Sequence, residues 1–344
     1  MLKVGIAGYG VVGKRRRLCV ENNPNLKLIA ICDQNFKKDS ISEDGIFQFS
    51  DYKNLLNKKL DIIIICLTNN ISPQVVIESL KKDLHVFCEK PPGRNLNDIL
   101  NVIEQEKKNK KLKLMYGFNH RFHDSVKEAL KITRKKKLGN IINIRGIYGK
   151  SQLITFNQTD WRTKRDIAGG GVLLDQGIHM VDLMRLFAGN FCEIKSFISN
   201  NHWGFDVEDN AYALLKTKDG IVGMLNSSAT QWRHKFNLEI NLEKGSLILE
   251  GILSSSKSYG AETLTIVYAD PTKDNGDPLE VTTNYNKDNS WEEEIDMFVS
   301  CILKDKNVQN GSSKDAFETM KHVYKIYFAD LNWREKYKID NPNI

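Results

Sequence analysis

The stretch Lys3-Val4-Gly5-Ile6-Ala7-Gly8-Tyr9-Gly10-Val11-Val12-Gly13 leads on to Leu28-Ile29-Ala30-Ile31-Cys32-Asp33. Lys3 to Ala7 reads as a strand and Val11 to Asn22 as a helix, with G-x-G-x-x-G at the junction; Leu26 to Cys32 is the next strand. In that position each glycine has a mechanical purpose. The first permits a tight turn, the second lets the backbone approach a pyrophosphate, and the third lets the helix pack closely on the strand. The helix amino terminus then offers N–H groups to the anion. Asp33 closes the second strand, twenty positions after Gly13. A carboxylate there accepts hydrogen bonds from the adenosine ribose and repels a 2′-phosphate, so NAD is expected over NADP. Lys14, Arg15, Arg16 and Arg17 occupy successive helical positions, so they point around the helix and most are expected to face solvent or an adjacent domain.

Outward from this unit the pattern repeats. Leu60 to Leu67 is a continuous apolar run of the kind buried on both faces, and His85 to Glu89 and Lys113 to Tyr116 are further strands. The helical stretches Pro73 to Lys82 and Asn95 to Asn109 lie between them. This is a Rossmann-type α/β domain, a doubly wound parallel sheet over residues 1–120. Ligands of such sheets lie at the carboxyl edge. The strand ends there deliver Thr68-Asn69-Asn70 and Glu89-Lys90-Pro91-Pro92. Proline holds the residue before it in extended geometry, which makes Lys90 an aimed side chain. The expected cofactor contacts are Gly8, Gly10, Val11, Val12, Gly13, Asp33, Thr68, Asn69, Glu89 and Lys90.

Residues 121–344 read as a second, α+β domain with an open, largely antiparallel sheet. A helix spans Asp124 to Lys137. The strands are Ile141 to Tyr148, Phe191 to Ser199, Asp209 to Lys216, Ile221 to Ser228, Lys235 to Leu242, Ser246 to Glu250 and Leu264 to Tyr268. Two closing helices, Trp291 to Ile302 and Ser313 to Phe328, are too few to cover both faces of the sheet, so a second subunit is expected on the free face, in a homodimer or homotetramer. Between the first two strands, Gly169-Gly170-Gly171 opens a helix running from Val172 to Phe187. At 100° per residue, Asp175, His179 and Asp182 fall within about 60° of one another. Two carboxylates and an imidazole on an otherwise apolar helix are costly unless paired, liganded or open to a site. A carboxylate–imidazole pair of this kind suits proton transfer. No third metal ligand and no H-E-x-x-H accompany it, so no metal is expected.

Composition narrows the class. The chain of 344 residues is 41% hydrophobic and 27% charged, as a globular protein is. Its longest apolar run, Ile62 to Leu67, is too short to span a bilayer, and Gly5, Gly8 and Gly10 break the amino-terminal stretch that a signal peptide would need, so no membrane partner is expected. The formal charge of +7 is a small excess without zinc-finger or basic-zipper spacing, so no nucleic-acid partner is expected. Six cysteines without CxxC spacing read as thiols of a reducing, cytoplasmic compartment.

Taken together, Gly8-x-Gly10-x-x-Gly13, Glu89-Lys90-Pro91, Gly117-Phe118-Asn119-His120-Arg121-Phe122 and Gly169-Gly170-Gly171 running into Asp175-x-Gly177-x-His179-x-x-Asp182 resemble the Gfo/Idh/MocA family of nicotinamide-dependent oxidoreductases. The resemblance covers nearly the whole chain. It implies NAD-dependent oxidation or reduction of a sugar, nucleotide-linked sugar or cyclitol. It also implies a catalytic lysine matching Lys90, a substrate-holding aspartate matching Asp175, an acid/base histidine matching His179, and assembly through the second-domain sheet. Arg121, Trp161 and Arg162 are expected to join Asp175 and His179 at the substrate, the arginines toward a carboxylate or phosphate and the tryptophan against a sugar face. Two departures from the family pattern are Thr68-Asn69-Asn70-Ile71-Ser72, where members often carry Thr-Pro-Asn and a histidine, and Pro92-Gly93 after Lys90-Pro91. Some relatives use the fold for NAD-assisted glycoside cleavage or as non-catalytic sensors. Lys90, Asp175 and His179 are all present here, which favours the redox enzyme.

Overall fold

The computed structural model describes residues 1–153, 160–254, 258–270, 272 and 276–342. The chain begins β1 (Leu2–Ala7), α1 (Val11–Asn22), β2 (Leu26–Cys32), β3 (Ser40–Ile41), β4 (Phe47–Phe49), α2 (Tyr52–Leu56), β5 (Ile62–Ile65), α3 (Ser72–Lys81), β6 (His85–Glu89), α4 (Leu96–Glu106) and β7 (Leu114–Gly117). These strands form one sheet in the order β3-β4-β2-β1-β5-β6-β7. Every pairing is parallel except β3 with β4. All four isoleucines of β5 are buried, as a central strand covered on both faces requires. Strand order reverses beside β1, between β2 and β5, which is where a doubly wound sheet opens a crevice for a ligand.

A 3-10 turn (Asn119–Phe122) leads into α5 (Asp124–Arg134), β8 (Ile141–Gly149), a second 3-10 turn (Asp160–Thr163) and α6 (Arg165–Ala168). A π-helical turn, Leu173–Gly177, runs directly into α7 (Ile178–Ala188). Then come β9 (Phe191–Ser199), β10 (Asn210–Thr217), β11 (Val222–Ser228), β12 (Lys235–Leu242), β13 (Gly245–Glu250), β14 (Glu262–Tyr268) and β15 (Leu279–Tyr285). The chain closes with α8 (Ser290–Leu303), α9 (Ser313–Ala329) and α10 (Leu331–Tyr337). The second sheet is ordered β15-β14-β13-β12-β8-β11-β10-β9. It is antiparallel except where β8 pairs with β11, a parallel pairing that needs the long connection through α6 and α7.

The chain divides into two compact units, and the division is not a single cut. The first unit holds Met1–Asn119 and Trp291–Glu318; the second holds His120–Ser290 and Thr319–Ile344. The expectation that all of 121–344 belongs to the second domain is therefore corrected at residues 291–318. Side-chain packing explains why. Phe298 packs edge-on against Phe87 at 5.8 Å between ring centres. The Gly311 carbonyl accepts a hydrogen bond from the Tyr116 amide at 2.7 Å, on the outer edge of β7, whose residues are all buried. Glu294, from α8, pairs with Arg16 of α1.

Among the described residues no helix is long and apolar enough to cross a membrane. All six cysteines are free; Cys19, Cys32, Cys88 and Cys301 are buried, Cys66 is half-buried and Cys192 is exposed on β9.

Candidate functional site

In the first unit the glycine turn has the shape that its sequence requires. Gly8 has φ +90°, and a Cβ there would come within 2.3 Å of the Cys66 carbonyl oxygen, so only glycine fits where this turn passes the end of β5. A Cβ on Gly13 would lie 2.0 Å from the Gly8 oxygen, whereas one on Gly10 would meet nothing within 4 Å. The turn is thus closed toward the sheet and open at Gly10, where α1 begins without a side-chain cap. Val11 is exposed and Val12 half-buried. Asp33 is fixed at the tip of β2. Its Oδ2 accepts the Tyr9 amide at 2.8 Å, and its Oδ1 accepts the backbone and side-chain N–H groups of Asn35 at 2.9 and 2.8 Å. This cradle fits a dinucleotide pyrophosphate with a ribose at the carboxylate.

The basic run beside the turn is spread around α1 and largely committed to protein contacts. Lys14 is exposed, and Arg15 lies 4.3 Å over the Trp291 ring. Arg17 donates to Tyr9 Oη at 3.1 Å, to Glu21 at 2.7 Å and to Asp44; the Tyr9 bond leads the effects that hold it cationic. Arg16 departs furthest from expectation. It is fully buried, donating to Glu89 at 2.7 Å and to Glu294 at 2.6 Å, with the faces of Phe87 and Trp291 at 4.4 and 4.2 Å. Glu89, expected at the cofactor, thereby has Oε1 on Arg16 and precedes a cis Lys90–Pro91 bond. Lys90 is half-buried. After β5, Thr68 Oγ1 donates to Asn70 at 2.7 Å, the Thr68 carbonyl accepts from Ser72 at 3.0 Å, and Asn69 is buried.

In the second unit, the triple glycine brings the start of the π turn against Glu208. A Cβ at Gly171 would lie 2.1 Å from the Glu208 carbonyl oxygen. The Glu208 carboxylate accepts from the amides of Gly171 (2.8 Å) and Leu173 (2.9 Å), so it caps the first turn, and Tyr327 donates to it at 2.7 Å. Asp175 follows inside the π turn. Its Oδ2 accepts Lys150 Nζ at 3.0 Å and its Oδ1 accepts Arg162 Nε at 3.3 Å. Arg162 in turn lies 4.4 Å over the Trp161 ring, so one face of that indole carries a guanidinium. The His179 ring stacks on His120 with centres 3.9 Å apart and an 11° interplanar angle. His120 Nε2 is 3.1 Å from Tyr148 Oη, and Tyr148 packs edge-on against Tyr259, whose hydroxyl accepts from Gln176 at 3.0 Å. Burial raises the Tyr148 and Tyr259 phenols well above their usual range, so both stay neutral hydrogen-bonding groups.

Two expectations from the helical wheel need correction. The segment from Val172 is not one α-helix. An i→i+5 turn takes an extra residue, so the α-helical angles do not carry across it. Asp182, expected on the stripe with Asp175 and His179, is buried instead with Arg121, which donates Nε and Nη2 to its two oxygens at 2.6 Å each. Thr319 adds a third bond at 2.9 Å. Arg121, expected at the substrate, is thus the anchor of Asp182. The structure does bring Asp175, Trp161 and Arg162 together, and it adds Lys150, Tyr148, Gln176 and Tyr259, none of which carries a motif. Among the described residues no three His, Cys, Asp or Glu side chains have a metal-holding arrangement.

Comparison with known proteins places these features in context. Residues 2–118 match the family model "Oxidoreductase family, NAD-binding Rossmann fold", and residues 126–248 match "GFO/IDH/MocA C-terminal domain". A myo-inositol 2-dehydrogenase of Thermotoga maritima is 25% identical over 331 residues, covering 90% of this chain and 89% of its own. A D-glucoside 3-dehydrogenase of Escherichia coli is 28% identical over 253 residues, covering 66% and 70%. Among solved structures, levoglucosan dehydrogenase in complex with NADH superposes with a TM-score of 0.82 at 20% identity, covering 96% of this chain and 97% of that one.

Proposed function

Since the chain belongs to the GFO/IDH/MocA family of oxidoreductases with an NAD-binding Rossmann domain, we propose that it oxidises a secondary ring hydroxyl of a sugar or cyclitol, or reduces the matching ketone, with Lys90, Asp175 and His179 as its catalytic residues. The observation that carries this reading is the half-buried Asp175 carboxylate, ionically held by Lys150 and Arg162 on the same helical segment as His179. The relatives named for inositol, D-glucoside and levoglucosan support the substrate class.

NAD, when bound, supplies the hydride acceptor; Gly8, Gly10 and Gly13 would cradle its pyrophosphate and Asp33 its ribose. The protein's own groups handle the proton. Asp175, as a carboxylate, accepts a substrate hydroxyl hydrogen bond and fixes the ring. His179 takes the proton of the reacting hydroxyl, its usual titration lying close to working pH. The Lys90 ammonium stabilises the alkoxide that develops on oxygen.

The test is a screen of myo-inositol, levoglucosan, methyl D-glucosides and nucleotide sugars, following nicotinamide absorbance. At least one should reduce NAD. Lys90→Met and His179→Ala should each lower kcat/KM by about 10²-fold or more, with NAD affinity by calorimetry little changed. Near-normal turnover by His179→Ala would remove it from this role.

Assembly through the second sheet belongs to the same reading. On β9, β10 and β11 one face presents Phe197 at 79% exposure with its cross-strand partner Tyr212, and Leu214 with its partner Met224. An apolar patch of this kind is what a subunit interface covers, and a second copy of the chain is the proposed cover. Light scattering should return at least twice the 39.4 kDa chain mass; a monomer at micromolar concentration would refute it.

A further inference from the structure

We propose that Lys150 is a positioning residue that sets the Asp175 carboxylate for substrate, a role that rests on the reading of Asp175 given above. Lys150 follows directly on β8, and its backbone is held on both sides. Its amide donates to the Ser228 carbonyl at 2.8 Å, and its carbonyl accepts the Gln231 amide at 3.0 Å. The side chain is only 9% exposed and its ammonium has two acceptors, Asp175 Oδ2 at 3.0 Å and the Leu153 carbonyl at 3.3 Å. Burying an ammonium is costly unless it is paired.

Neutralising Asp175 does not account for it, because Arg162 already reaches Oδ1. What Lys150 adds is orientation. With one cation on each oxygen, the carboxylate plane is held against rotation. A carboxylate offers about four lone-pair sites, more than the two that these cations use, and a substrate hydroxyl is the donor proposed for the held carboxylate. Tyr148 and Tyr259 remain neutral phenols. His234, whose ring nitrogens meet Ser151 and Ser258, is pushed toward its neutral form by burial and then by the Lys150 charge. The lysine therefore fixes an anion on one side and adds to the burial that favours a neutral imidazole on the other.

The test compares wild type, Lys150→Met and Lys150→Arg. Carbon-13 NMR of aspartate-labelled protein, with Asp175→Asn used for assignment, reads the Asp175 carboxyl without any substrate. Its titration should move up by about one pH unit in Lys150→Met and return most of the way in Lys150→Arg. On whichever of myo-inositol or levoglucosan the wild type oxidises with NAD, Lys150→Met should raise KM about tenfold, more than it lowers kcat. The acid limb of kcat/KM should shift in the same direction as the carboxyl. An unmoved carboxyl overturns the proposal, as does an unmoved KM. If wild type oxidises no sugar or cyclitol, the functional reading fails by itself and the carboxyl titration alone decides the role of Lys150.

Discussion

In the first unit a single cation, Arg16, lies between two carboxyl groups, Glu89 and Glu294; in the second a single carboxyl group, Asp175, lies between two cations, Lys150 and Arg162. The first cluster is sealed. Arg16 and Glu294 are 0% exposed and two aromatic rings cover the guanidinium faces, so the seal lies around the cation, with only Glu89, at 14%, reaching the surface. The second is ajar, with Asp175 and Arg162 at 18% and 22%. A sealed cluster has no room for a ligand, and its worth lies in joining α1, β6 and α8 into one body. An open one keeps a charged acceptor within reach of solvent, where a substrate can replace water. The same elements of chemistry, inverted in sign and in burial, thus mark a structural joint in one unit and a candidate site in the other.

The most severe way to test that contrast is to remove Arg16. Arg16→Met takes the counter-charge from the half-buried Glu89 carboxylate and the hydrogen-bond donor from the buried Glu294 carboxyl, a change of the class that costs about 3–5 kcal/mol. Lys150→Met removes only a flanking ion and leaves Asp175 paired with Arg162, so its cost should be nearer the ~1 kcal/mol of partly exposed pairs. Urea unfolding of the two variants beside wild type measures both. Equal losses would erase the distinction between joint and site.

How far each cluster was legible in the sequence follows from how local its causes are. The glycine turn, Asp33 and the central strands were readable because strand, turn and helix are neighbours in the chain and their periodicity is set by adjacent residues. Arg16 was not readable as a joint. Inside Lys14-Arg15-Arg16-Arg17 it resembles solvated charge, and its partners lie 73 and 278 residues away. The same distance hid the return of residues 291–318 to the first unit. In the second unit Asp175 and His179 stood out by residue type as candidates, but the π turn was invisible, and the wheel that grouped Asp182 with them ignored it. Lys150 carried no signal, because a lone lysine after a strand reads as a surface residue until the side chain 25 positions on is placed beside it. The parallel β8–β11 pair and the edge strand β15 were also missed. Both depend on which strand a distant segment finds, not on the segment's own pattern.

The smallest effect concerns pH, and it probes the sealed cluster alone. Burial pushes the Glu294 carboxyl up to about 8; the Arg16 charge opposes the shift and Glu89 adds to it. The folded protein therefore binds the Glu294 proton more tightly than the unfolded chain, where the group titrates near its ordinary 4.5. Stability from a raised carboxyl is fully present below about pH 4.5 and is lost as pH climbs through about 8. Glu294→Gln keeps the shape of the protonated acid and cannot lose a proton, so it removes this dependence while the other titrating groups remain. Urea midpoints of wild type and Glu294→Gln, measured from pH 5.5 to 8.5, should diverge steadily, the wild type losing ground as the pH rises. Burial works against the Arg16 charge, but Glu89 leads the groups that outweigh it and Arg16 stays cationic throughout, so the divergence reports Glu294. Parallel curves would mean that the carboxylate is already ionised at the lower pH. Arg16 would then balance two anions inside the joint, and the cluster would carry a net negative charge that its sealed surroundings have to tolerate.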